Sequence, residues 1–161
     1  MRVRISRSPD KKKKFRAILE DGRTVDFGAS GYSDYTKHKN PSRMRSYVLR
    51  HGGHVPKSII AEKDPKKIHT RTLKVDTSDK EQWLLGGIAT AGFWSRWYLW
   101  SQPTIPQVRA FMLQRFGIKI LGQWRYTENW KLSGIGGAGF WSQPTLREAQ
   151  KNLILFSQSS V

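Results

Sequence analysis

Residues 15–27 read FRAILEDGRTVDF. Phe15–Leu19 and Thr24–Phe27 are strand-like. Asp21-Gly22 between them is a two-residue hairpin signal, because the turn it favours needs positive φ. Upstream, Val3-Arg4-Ile5 alternates like a further short strand. Ser8-Pro9-Asp10 and the run Lys11 to Lys14 then form an exposed turn. Residues 2–28 are therefore predicted to fold as a small antiparallel meander with one apolar face. Such a sheet is marginal alone and needs a helix packed on it.

Working outward, Gly28 to Lys39 is a loop rich in Gly, Ser and Tyr. Asn40-Pro41 opens a helix, since Asn is a good N-cap and Pro suits the first helical position. Met44, Tyr47, Val48 and His51 share one face of it, Arg43, Arg45 and Arg50 flank or oppose that face, and Gly52-Gly53 ends it. Residues 54–80 are polar, basic and interrupted by Pro56 and Pro65, which reads as a connector or insertion with room for a short strand at Thr72–Val75. From Thr90 the pattern is helical and aromatic. Thr104 caps a helix Pro106–Phe116 striped by Val108, Phe111, Met112 and Phe116; Ile118–Leu121 is strand-like; Thr145 caps a last helix, Leu146–Phe156. The expected class is α+β: a basic hairpin-plus-helix module at 1–53, a connector at 54–80, and an aromatic-rich helical half at 81–161.

That last half repeats itself. EQWLLGGIATAGFWS at 81–95 returns as ENWKLSGIGGAGFWS at 128–142, and SQPT at 101–104 returns at 142–145. Two copies are too few for a solenoid, which needs about three or more. Phe93 and Phe140 read as core. Seven tryptophans look more than so small a core can hide. Trp94, Trp97, Trp100, Trp124 and Trp141 are therefore partner-docking candidates, Trp being enriched at binding hot spots.

Charge is the second main signal. The chain of 161 residues carries a formal +17. The first eighty residues hold 21 of the 29 Lys and Arg and 9 of the 12 Asp and Glu, so most of the surplus lies there. A polyanion is the natural partner class. Lys11, Lys12, Lys13, Lys14, Arg43, Arg45 and Arg50 are the candidate anion- or nucleic-acid-binding residues. Tyr32 and Tyr35, interleaved with them, suit single-stranded nucleic acid. No sequence-reading RNA-binding or zinc-finger signature accompanies them.

Other chemistry finds little support. The chain has no cysteine, which excludes disulfides and thiolate chemistry. The N-terminal MRVRISRSPDKKKK lacks the apolar core of a secretory signal. Leu132 to Leu146, the longest uncharged stretch, is too short to span a bilayer. His51-Gly-Gly-His54 is a poor metal pair, Ser33, Asp34 and His38 fit no triad order, and no phosphate-loop, GxSxG or HExxH motif occurs. The expectation is no enzyme, no cofactor, no metal and no small-molecule substrate.

Two segments resemble a family of small basic proteins of large nucleocytoplasmic DNA viruses of algae and protists. They are Lys11 to Gly52, with GYSDYTKHK, and Thr90 to Ile120, with AGFWSRW. The resemblance covers roughly 11–52 and 90–120 and carries no reaction with it. It implies viral origin. The expected function is then a non-enzymatic minor capsid or cementing component, in the virion and, during assembly, in the host cytoplasm. It would dock other capsid proteins through its aromatic motifs and meet DNA or an anionic membrane surface through its basic half. The alternative is a nucleic-acid-binding protein of viral replication or packaging.

Overall fold

The computed structural model describes residues 1–124. Three strands form at the N-terminus: β1 (Arg2–Arg7), β2 (Lys13–Leu19) and β3 (Thr24–Ala29). They pair antiparallel, Ile5 opposite Ala17 and Phe15 opposite Phe27. Alternation then puts Val3, Ile5, Ala17, Leu19, Val25 and Phe27 on one face, and all six are buried. The opposite face carries the cross-strand pair Arg16–Asp26, joined by two hydrogen bonds of 2.8 and 2.9 Å. The β2–β3 turn falls where expected but spans four residues, Glu20–Arg23. Only Gly22 takes the left-handed conformation there, at φ 90°. The turn is therefore wider than the predicted two-residue type, which needs two such residues.

The meander is only part of the sheet. A fourth strand, β4 (Lys119–Trp124), lies parallel to β1, with Val3 beside Ile120, giving a mixed sheet of order β3-β2-β1-β4. β1 is therefore central, and the chain's first and last described strands are neighbours. The α+β class holds, while the purely antiparallel sheet is corrected to a mixed one. A pattern of short alternating runs cannot show that a segment over a hundred residues away returns to the N-terminal edge.

Among the described residues six α-helices accompany this sheet: α1 (Tyr35–His38), α2 (Pro41–Arg50), α3 (Lys57–Ile60), α4 (Pro65–Leu73), α5 (Ala91–Trp94) and α6 (Ile105–Phe116). α2 forms for the expected reasons: the Asn40 side chain accepts from the Ser42 and Arg43 amides, Pro41 sits in the first turn, and Met44, Tyr47 and Val48 are buried. α6 is likewise capped by Thr104 and closed by Gly117 in the left-handed conformation. α1 lies inside the stretch expected to be a loop, started by the Asp34 side chain on the Thr36 amide. The connector is also helical, with α3 and α4 in place of a strand at Thr72–Val75. Pro65 does not break structure; it is the first residue of α4, behind the cap Asp64. The helix expected at Leu146–Phe156 and the second repeat copy lie outside the described residues.

The first AGFWS copy is the heart of the molecule. Thr90 caps α5, which continues into a π-helical turn over Ser95–Leu99. Phe93, Trp94, Trp97 and Tyr98 are buried together, and Phe27 of the sheet meets Trp94 at 5.9 Å and Tyr98 at 5.7 Å. This is the helical layer that the sheet's apolar face needed. Gly87 and Gly92, both repeated in the second copy, permit close approach: a Cβ on Gly87 would collide with the Gln82 carbonyl, and one on Gly92 with the Glu81 carboxylate.

Arg96 is the unexpected member of this core. It is wholly buried (0 % exposed). Its guanidinium donates to the carbonyls of Trp100 (2.7 Å), Thr72 (2.9 Å) and Val75 (3.1 Å). Its planar face lies 4.3 Å from the Trp97 ring centre and 5.5 Å from that of Trp83. Burial pushes its pKa down to about 10, which still leaves it charged near neutrality. A lone buried cation is costly unless hydrogen-bonded; three carbonyl dipoles and two indole faces offset part of that cost here, while the buried Nε has no hydrogen-bond partner among the described residues. Replacing Arg96 by Lys keeps the charge but loses the planar fork. We expect Arg96→Lys to destabilise the fold by about 2–4 kcal/mol, read from the urea midpoint of tryptophan fluorescence; an unchanged midpoint would remove Arg96 from this role.

Candidate nucleic-acid interface

The docking reading of the tryptophans is corrected for three of its five residues. Trp94, Trp97 and Trp100 are buried at 0, 1 and 8 % exposure, and Trp83 joins them. Buried indoles need partners for their N–H groups. The Trp94 indole donates to the Ile88 carbonyl at 2.7 Å. The Trp97 indole donates to the Trp83 carbonyl, also at 2.7 Å. Trp100 stacks flat on Tyr47 at 4.4 Å, and Tyr47 in turn lies 4.2 Å from the ring of His51. Counting large rings against chain length missed this close mutual packing. The side chain of Trp124, in β4, and the whole of Trp141 lie outside the described residues.

The basic candidates separate into two groups. Lys11 and Lys12 are exposed on the β1–β2 turn and Lys13 is half-buried beside them. Asp10 organises that turn by accepting from the Lys12 amide at 2.9 Å. Arg43 and Arg50 are exposed at opposite ends of α2, about 10 Å apart along its axis. Lys14 and Arg45 are structural instead. Lys14 donates at 2.8 Å to Asp34, whose side chain is 2 % exposed. The Arg45 guanidinium donates to the carbonyls of Ile59 (2.8 Å) and Glu62 (2.7 Å), tying α2 to the α3 region. Neither offers a free charge to an outside anion.

One local frame gathers the free group. The Ser30 amide donates to the Lys12 carbonyl at 3.0 Å, and Lys13 pairs with Ala29. The loop after β3 therefore runs alongside the lysine turn before Lys14 and Asp34 fasten its far end. That loop displays Tyr32, 72 % exposed. Tyr35, three residues on, is buried, its hydroxyl 2.7 Å from Nδ1 of His69 and its pKa pushed up to about 12 by burial. His38 and His69 are both held below the usual imidazole range, first by burial and then by the charges of Arg43 and Arg96 respectively. The two tyrosines that sequence spacing could not distinguish are thus one surface ring and one core ring.

The carboxylates decide the sign of the surface. Residues 1–124 carry 25 Lys and Arg against ten Asp and Glu. Six of the ten acids are in ion pairs with Lys or Arg: Glu20 with Arg2, Asp21 with Arg23, Asp26 with Arg16, Asp34 with Lys14, Glu62 with Arg71 and Asp76 with Arg115; Glu81 and Asp79 each lie 2.7 Å from a histidine nitrogen, of His51 and His54 respectively. The other two, Asp10 and Asp64, cap a turn and a helix. Exposed pairs add little stability, but they neutralise the acids locally and leave Lys11 and Lys12 without a carboxylate partner among the described residues.

His51 and His54 each face a separate carboxylate at 2.7 Å rather than a common point. Among the described residues no group of three or more His, Cys, Asp or Glu could hold a metal ion. Asp34 and His38 do not form a relay either: His38 accepts the Asn40 amide through Nδ1, and Asp34 serves Lys14 and Thr36. Among the described residues no helix is long and apolar enough to cross a membrane.

The division of the lysines is testable. Lys14→Ala strands the Asp34 carboxylate in the interior and should cost about 3 kcal/mol. Lys12→Ala should change stability by no more than about 0.5 kcal/mol. Equal urea midpoints for the two variants would contradict the assignment.

The model of a family of unknown function, DUF5754, matches residues 3–51. That span holds β1–β3, α1, α2 and all seven basic candidates, and stops short of the AGFWS core. No curated protein and no solved structure matches the chain.

Proposed function

We propose that this protein is a nucleic-acid-binding protein, working without catalysis through the lysine turn Lys11–Lys13 and the loop beside it. One observation carries the reading: every carboxylate among the described residues is engaged by an Arg or Lys, a histidine or a cap, while Lys11 and Lys12 on the turn are exposed. Lysines on an exposed turn suit the regularly spaced charges of a phosphodiester chain, and binding would draw on release of its condensed counterions. Arg43, at the exposed start of α2, extends the same character. The contacts are to phosphate, so they set affinity and carry no base sequence.

A second reading keeps the protein in a virus particle, as a minor capsid or cementing component, and rests on the resemblance to small basic proteins of large DNA viruses. With three tryptophans interior, its docking surface would be the exposed pair Leu84 and Leu85 (51 and 45 % exposed), the outward-facing part of the first repeat copy. Such a component would meet packaged DNA through the same lysine turn.

Fluorescence anisotropy with a labelled oligonucleotide tests the first reading. Binding should weaken linearly on a log–log plot against salt. Replacing Lys11, Lys12 and Lys13 together by Ala should reduce the magnitude of that slope by about 2–3, at about 0.7–0.9 per lost phosphate contact, with an unchanged circular dichroism spectrum. Absence of binding at low salt, or an unaltered slope in the variant, would overturn it.

A further inference from the structure

We infer that the interface takes unpaired nucleic acid in particular, with Tyr32 as the platform on which a base stacks. The inference rests on the nucleic-acid reading above and adds a substrate class to it. Tyr32 is the most exposed large hydrophobic side chain among the described residues, and its ring and hydroxyl have no hydrogen bond or ring contact there.

Exposure alone would be ordinary; position makes it informative. Two residues before Tyr32, the Ser30 amide is bound to the carbonyl of Lys12. Two residues after it, Asp34 is bound to Lys14 and starts α1. The backbone that carries the ring is therefore fastened on both sides to the lysine strand. Gly28 and Gly31, both at positive φ, make the bends that carry the loop across. Side chains with a Cβ rarely adopt that conformation. A ring on a fixed backbone has only its two side-chain torsions left to order on binding.

An open aromatic face beside free ammonium groups is the combination that holds single strands: cations follow the phosphates and the ring takes a base, whichever base it is. In a duplex the bases are already stacked on one another, so the ring gains nothing there and only the phosphate contacts remain. The recognised chemistry is an unpaired base on a phosphodiester backbone, which single-stranded DNA and RNA share.

The test compares the full chain with Tyr32→Ala and Tyr32→Phe against a twelve-nucleotide single strand, as DNA and as RNA, and against the DNA duplex of the same sequence at equal salt. Tyr32→Ala should lose roughly tenfold in affinity for the single strand, within the range for one stacked base. It should bind the duplex within about twofold of the parent and keep the parent's salt slope. Tyr32→Phe should retain single-strand binding, because the ring and not the hydroxyl does the stacking. Loss on either single-strand arm with the duplex unaffected supports the inference. Unchanged single-strand affinity in Tyr32→Ala, or equal losses on single strand and duplex, overturns it. If the triple lysine variant is still impaired in that case, the nucleic-acid reading survives. If the parent binds neither form, both claims fall.

Discussion

A wholly buried guanidinium ties the end of α4 to the aromatic segment that covers the sheet. Arg96 reaches back 21 and 24 residues to the carbonyls of Val75 and Thr72, at the end of α4, and forward to the carbonyl that closes its own π-helical turn. Its faces are covered by Trp83 and Trp97. Because a buried charge tolerates so few arrangements, this one ion constrains how the end of α4, the π-helical turn and the indoles of Trp83 and Trp97 lie together. The sheet then has a fixed aromatic layer to pack on, and the remaining helices settle around both.

The same economy shapes the surface. A chain with so few acids uses them as fasteners. Asp34 anchors α1 to β2, Asp26 crosses two strands, Glu81 lies against Gly92 and His51, and Asp76 meets the C-terminal part of α6. What is left for solvent is predominantly positive. The potential around the lysine turn is therefore a by-product of how the fold spends its carboxylates as much as of the lysines themselves. Function of this kind needs no reactive centre. It needs a rigid loop, three amines and a ring, all fastened to the most regular part of the molecule.

Local signals made much of this legible. Asn40-Pro41 and Thr104 start helices where capping chemistry says they should, and the strand boundaries lie close to those the alternation suggests. Signals that depend on distant partners were not legible. Pro65 reads as a break until Asp64 is seen capping it. β4 returns to β1 through a parallel pairing that no short pattern announces. The duplicated AGFWS reads as a pair of docking patches, yet in the first copy its rings are interior, Phe93 and Trp94 packing on Phe116, Phe27 and the Ile88 carbonyl, and the RWYLW that follows is interior with them. The second copy lacks that segment. In the candidate site, Lys11 to Lys14 look equivalent as a run, but strand alternation and one buried aspartate turn Lys14 from ligand contact into scaffold.

The most direct test is a two-dimensional NMR titration of the full chain with a short single-stranded oligonucleotide, following backbone amides. The largest shifts should cluster at residues 10–13 and 28–33 while the amides of Phe93–Trp100 stay in place. Shifts centred on Leu84-Leu85 or on the 93–100 segment, with the lysine turn silent, would contradict a nucleic-acid interface built on that turn.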